Sequence, residues 1–185
     1  MIYLVLGIVV VALIAAGVLF NGLIAKRQMV KNGWADIDVQ LKRRADLVPQ
    51  LVSVVQGYAA HERQLFEDIA AKRTAALAAG DDPARRGESE TAFARPIGKL
   101  IAVAEAYPEL KASQNFLQLQ NALADTENKI EMARRFYNGA ARELNTAVET
   151  VPSNIVAGLA GVHAAPFFQI GAGEGAAPQI SLGAP

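Results

Sequence analysis

Cysteine is absent from the 185 residues. That excludes a disulfide, a thiol nucleophile, a thiolate zinc site and lipid attachment through a lipobox. Histidine occurs only twice, at His61 and His163, so base catalysis and imidazole ligation have few candidates. Net charge is missing too, because 18 basic and 18 acidic residues cancel. No global field therefore favours nucleic acid or an acidic substrate. The motif Glu-x-x-His occurs nowhere, which removes the carboxylate and histidine constellation of di-iron bundles.

Charge is most completely absent at the start. No charged side chain lies between Met1 and Ala25, and the run IYLVLGIVVVALIAAGVLF is dense in branched aliphatics. About 20 residues at ~1.5 Å each cross a hydrocarbon layer of ~30 Å, so residues 1–25 suffice for a transmembrane anchor. A cleaved signal peptide carries its basic residues before the apolar run. Here Lys26, Arg27 and Lys31 all follow it. The asymmetry predicts an uncleaved anchor with the N-terminus outside and the body in the cytoplasm. The same three cations flank the membrane and are candidates for contact with anionic lipid.

Beyond the anchor, residues 26–168 are predicted to form one helical domain, and residues 169–185 a flexible tail rich in Gly, Ala and Pro. Stepping three and four residues alternately from Trp34 gives Ile37, Leu41, Arg44, Val48, Leu51, Val55, Tyr58, Glu62, Leu65 and Ile69, a heptad stripe broken only at Arg44 and Glu62. Pro49 lacks an amide donor and disfavours a helical Val48. It predicts either a kink or a reversal, and reversal gives segments of more comparable length. The next segments are expected over Gln50–Leu77, closed by the Gly80 to Pro83 stretch, and over about Ser89 to Ala106, with Pro96 inside and Tyr107-Pro108 at its end. The last long segment carries Phe116, Leu119, Leu123, Thr126, Ile130, Ala133, Tyr137, Ala140, Leu144, Ala147 and Val151 in unbroken heptads. Alanines 133, 140 and 147 suggest a close helical seam. The expected fold is all-α: a transmembrane helix followed by an antiparallel up-and-down bundle of four heptad-patterned helices.

The blocks WADIDVQLKRRADLVPQLV, GYAAHE, AEAYPELKASQNFLQLQ, TENKIEMARRFYN and LNTAVETVPSNIVA, in that order, resemble the LemA family of bacterial membrane proteins, over roughly residues 21–168. The resemblance implies a membrane helix carrying an antiparallel helical bundle, and a family without established catalytic residues. It also implies a scaffold role, because the magnetosome-associated members are linked to membrane remodelling or organelle assembly. The sequence departs from the pattern at Ala141 and Leu144, where a larger aliphatic and an aromatic are usual, and in a tail that is not acidic.

Candidate chemistry is sparse. His61 and Glu62 are adjacent, but helical neighbours point about 100° apart. Glu127 and Glu131 share a face with Lys129, Arg134 and Arg135 close by, which reads as a solvated charged surface. Gly171, Gly173 and Gly175 have neither the strand nor the helix a phosphate loop needs. Arg43 and Arg44, with Asp36, Asp38 and Asp46, read as an ion-pair network at a helix end. Tyr58 and Tyr137 fall on core positions, and Asn138 and Asn145 read as asparagines that fix helix register. The sequence thus predicts no enzyme, no catalytic, cofactor or metal residues, and no cofactor. It predicts a protein of the bacterial cytoplasmic membrane whose partners are the bilayer, through residues 1–25, and further copies of itself, with no nucleic acid. Its function would be that of a self-associating, coiled-coil-like scaffold; the alternative is a tethered sensor or adaptor recruiting a soluble protein partner, with Pro49 and Tyr107-Pro108 as movable points.

Overall fold

The computed structural model describes residues 1–169. Six helices follow in order: α1 (Ile2–Gln56), α2 (Arg63–Ala78), α3 (Pro83–Glu105), α4 (Pro108–Lys111), α5 (Gln114–Glu149) and α6 (Ser153–Ala160). Among the described residues there is no strand. The tail expected over residues 169–185 lies outside the described residues except for Gln169. The described residues form two compact units, one of Met1–Gln40 with Glu127–Phe167, the other of Leu41–Thr126 with Phe168 and Gln169.

In the second unit the stripe read from the sequence is buried as far as it stays helical. Leu41, Arg44, Val48, Leu51 and Val55 are each at most 3% exposed. The predicted reversal at Pro49 is corrected, for α1 runs through Pro49 to Gln56. A helix-interior proline costs about 3 kcal/mol, but Val48, Leu51 and Val55 on either side each return ~1.5–3 kcal/mol on burial. The backbone is repaired as well. Pro49 cannot donate to the carbonyl of Ala45 four residues back, and Arg73 Nε donates to that oxygen at 2.6 Å. One residue further on, the Gln50 side-chain amide donates to the Asp46 carbonyl at 3.1 Å.

Reversal comes instead across residues 57–62. The amides of Tyr58 and Ala59 both donate to the Val55 carbonyl, at 3.0 and 2.9 Å. Ala59 is thereby buried and Tyr58 is left 44% exposed, which corrects its expected core position. α2 accordingly begins at Arg63 rather than Gln50. α3 also begins earlier than the expected Ser89. The Asp82 carboxylate accepts from the Arg85 amide at 2.9 Å, and Pro83 occupies the first helical position, where its missing N–H costs nothing.

Side chains from α1, α2, α3, α4 and α5 share this unit's core, among them Val48, Val55, Ile69, Phe93, Leu100, Leu110 and Phe116. Among the described residues of this unit three charged side chains are buried, Arg44, Arg86 and Glu90. Glu90 Oε2 accepts from Arg44 Nη2, its Oε1 accepts from Arg86 Nε at 3.1 Å, and the Arg44 guanidinium lies 5.6 Å from the Phe93 ring centre. Phe168 is 1% exposed. The carbonyl of Gln169 sits so close to Gly87 on α3 that any Cβ there would collide with it.

In the first unit, residues from the two long helices meet in opposite numerical order. Gly33 lies against Phe136 and Tyr137, and Lys26 Nζ pairs with Glu143 Oε2 at 2.9 Å. Trp34 and Tyr137 have ring centres 5.6 Å apart. Gly33 fits because an added Cβ would already stand 3.0–3.1 Å from Phe136 and the Tyr137 backbone. Of the alanines read as a seam, Ala140 is buried and Ala133 and Ala147 are half-buried. After α5 the Val151–Pro152 peptide is cis, and α6 ends at Gly161 with φ 63°. The Val162 amide then donates to the Ala157 carbonyl at 3.0 Å, a glycine stop of the kind that satisfies last-turn carbonyls. The segment that follows is held to α5. Tyr137 Oη donates to the Pro166 carbonyl at 2.7 Å, and Asn145 both donates to and accepts from the Ala165 backbone, at 3.0 and 2.7 Å. Of the aromatic pair at residues 167 and 168, Phe167 stays 38% exposed and Phe168 is buried.

Candidate functional site

Each pair weighed for chemistry proves to lie in the open or in a structural role. His61 Nε2 is 3.8 Å from Glu62 Oε1, with the imidazole 71% exposed, and the same nitrogen lies 3.2 Å from Tyr107 Oη. Glu131 pairs with Arg135 at 3.4 Å on an exposed face. Arg43 sits 3.8 Å from Asp125, and Arg44 is in the buried cluster with Glu90. The expected setting of these two arginines at a helix end is corrected, since α1 continues to Gln56. The glycines at 171, 173 and 175 lie outside the described residues. Among the described residues, no three His, Asp or Glu side chains gather as a metal site would require.

What the structure does assemble is a surface at the N-terminal part of the first unit. The apolar run of α1 has a mean hydropathy of 2.9, with none of its 18-residue window buried. Leu4, Leu6, Ile8, Leu13, Ile14 and Val18 are all more than 60% exposed. By length and composition this part of α1 is able to cross a membrane. The first buried residue of the helix is Leu23, at 2% exposure, and the first cation, Lys26, follows three residues later.

Here α1 and the end of α5 enclose a groove of about 480 Å³. Val18, Leu19 and Gly22 line it from α1; Arg142, Thr146 and Ala147 line it from α5. Lys26 and Glu143, the paired charges, stand in the same wall, and Ser153 opens α6 beside it. The hydroxyls are satisfied locally: Thr150 Oγ1 donates to the Thr146 carbonyl at 2.9 Å, and Ser153 Oγ to the Thr150 carbonyl at 3.0 Å. Beyond the groove, Val151, Ile155 and Leu159 are 77%, 62% and 86% exposed. Sequence reading identified Lys26 as membrane flank but missed Arg142, Thr146 and Ser153. Their one signal was a run of short polar residues at helical spacing, Thr146, Thr150 and Ser153, on a face that turns apolar just beyond it.

The model of the LemA family matches residues 33–182. Among curated proteins, the chain is 25% identical to magnetosome protein MamQ 2 of Paramagnetospirillum magneticum, covering 86% of this chain and 68% of that protein. It is 21% identical to magnetosome protein MamQ of Magnetospirillum gryphiswaldense, over 80% of this chain and 64% of the relative. Protein LemA of Metamycoplasma hominis is 26% identical, over 80% and 68% respectively.

Proposed function

This chain belongs to the LemA family, and from that premise we propose that it is a non-enzymatic, single-pass protein of the bacterial cytoplasmic membrane, whose helical body associates with copies of itself as a membrane-organising scaffold. Residues 1–25 are the anchor, with the N-terminus outside and the body, an antiparallel up-and-down bundle, in the cytoplasm. The observation that carries the reading is α1 itself. An exposed, uncharged run passes without interruption into helix that buries one face in its further turns, at Leu23, Val30, Ile37 and Leu41, so the anchor and the body share one element and no linker separates them. The opposite numerical order of the contacts in the first unit supports the antiparallel arrangement. Kinship with relatives named as magnetosome proteins supports a role in organising a membrane structure.

Self-association has a candidate surface in the first unit. Met132 and Phe136 stand one turn apart at 57% and 48% exposure, beside a shallow groove shared with Asp36, Gln40 and Lys129. Anchoring in one plane raises the effective concentration for such weak contacts. Light scattering on the detergent-solubilised full chain, beside the chain lacking residues 1–25, tests the reading. A discrete assembly that Met132→Glu dissociates without loss of helicity is expected. A monomer in every sample would defeat the scaffold reading and favour the adaptor, for which a single stoichiometric soluble partner is the expected finding.

A further inference from the structure

The groove between Val18 and Ser153 combines features that rarely meet on a surface exposed only to water. We propose that it holds one anionic phospholipid drawn from the bilayer, its acyl chain along Val18, Leu19, Gly22 and Ala147 and its phosphate at Lys26 and Arg142. The inference rests on residues 1–25 being a membrane span and goes beyond that reading by assigning a ligand.

Three observations carry it. The first is depth. Val18 lies eight residues before Lys26, or ~12 Å along the helix axis, so the groove reaches from the apolar run to the first charge on the same helix. Its geometry matches a lipid, which is apolar at one end and charged at the other. The second is charge. Lys26 and Arg142 against Glu143 leave a surplus of one positive charge in the lining, the complement of a phosphodiester's single negative charge. Lys26 is already engaged with Glu143 at 2.9 Å, so Arg142 carries more of the discrimination. The third is the surrounding surface. Val151, Ile155 and Leu159 stay exposed on and just before α6, and α6 begins at Ser153 in the groove wall. Large aliphatics at that level belong at the boundary of headgroups and acyl chains, where a short helix lies flat with its apolar side chains in the lipid.

The test uses the full-length protein in detergent, titrated with phosphatidylglycerol or with phosphatidylcholine, and counts retained lipids by native mass spectrometry. One phosphatidylglycerol per chain is expected, with phosphatidylcholine held more weakly. Arg142→Gln is expected to weaken phosphatidylglycerol about fivefold, the weight of one basic side chain near an anionic headgroup, and to weaken phosphatidylcholine less, because its choline cation already offsets its phosphate. Gly22→Leu is expected to abolish retention of both. A Cβ at Gly22 meets nothing within 4 Å, and leucine is the better helix former, so that variant fills the groove without disturbing the fold. Equal retention of the two lipids, with no effect of Arg142→Gln, overturns the proposal. So does a lipid-independent dimer that Gly22→Leu dissociates, which would give the groove to a second copy of the chain. A chain absent from the membrane fraction would remove the anchor reading itself, whereas a membrane-bound chain that retains no lipid removes only this assignment.

Discussion

Pro49 offers a sharp test of how the second unit is held. Its ring leaves the Ala45 carbonyl without a helical donor, and Arg73 on α2 supplies one through Nε at 2.6 Å. The same guanidinium places Nη2 3.7 Å from the Asp46 carboxylate. Ala45 is 4% exposed, so water has little access to its carbonyl. Arg73→Met keeps the aliphatic stem and removes the donor. Losing a charged hydrogen bond to a buried carbonyl costs about 1.5–3 kcal/mol, and the Arg73 side chain is 31% exposed, which lowers the expected cost to about 1–2 kcal/mol. Pro49→Ala restores the amide donor. It relieves a penalty of about 3 kcal/mol while giving back ~0.4–1 kcal/mol of unfolded-chain entropy, and because the native backbone is already adapted to proline, a net gain of ~1–2 kcal/mol is expected.

The decisive quantity is the coupling between the two changes. With an alanine amide at position 49 the Ala45 carbonyl has its helical partner, and Arg73→Met should then cost less than ~0.5 kcal/mol. The cycle therefore predicts an interaction of about 1 kcal/mol between residues 24 apart in sequence. Thermal unfolding of the full chain in detergent, followed by circular dichroism at the helical band, reads this as a difference of ~2–4 °C in the Arg73→Met effect between the two backgrounds. Equal destabilisation in both would mean that Arg73 acts through Asp46 or through packing, and the account of how α1 passes Pro49 would be wrong.

Glu90→Gln leaves Arg44 and Arg86 buried without their shared carboxylate; removing one partner of such a group costs ~3 kcal/mol, a fall of roughly 6–12 °C, whereas Glu131→Gln on its exposed face should stay within ~0.5 kcal/mol. Gly87→Ala drives a methyl group into the Gln169 carbonyl and is expected to cost ~1–3 kcal/mol, with faster proteolytic cleavage beside Phe168 as the local readout. Asn145→Ala removes both hydrogen bonds to Ala165 at about 1 kcal/mol each; because Trp34 is the sole tryptophan and packs on Tyr137, a shift in its emission would report loosening that spreads through Pro166, and unchanged emission would confine the loss to Ala165.

The parts of this fold legible in the sequence are those written as a periodicity. From Ile37 to Val55 the heptad stripe matches burial residue by residue, including the charged Arg44, because a long helix repeats one geometry and its buried face must recur with it. The reading failed where a local rule met a distant partner. Pro49 was expected to reverse the chain, yet Arg73 and the packing around Val48 and Leu51 sustain the helix. Gly57 was overlooked because the stripe ran on in register through Tyr58, and the break at Glu62 was its only warning. The Gly80 to Pro83 stretch reads as the close of one helix, yet its capping carboxylate before a proline is also the start of the next. The groove was illegible for another reason: Val18 and Arg142 are more than a hundred residues apart, and neither belongs to a motif.

Where the polar side chains are committed bears on function. Glu90 with its two arginines fixes α3 within one unit, and Tyr137 and Asn145 hold the segment after α6 within the other. Each is engaged with an arginine, a carbonyl or an amide of its own chain, so these half-buried and buried polar groups specify the fold instead of facing a cavity. The accessible apolar groups are of a different kind. Among them are aliphatics on α1, Met132 and Phe136 on α5, and Ile155 and Leu159 on α6. Exposed aliphatics are normal when scattered and informative when grouped, and here they group along an apolar helix and beside grooves. Such a distribution supports the proposed reading, in which α1 faces lipid and the exposed face of α5 meets further copies of the chain.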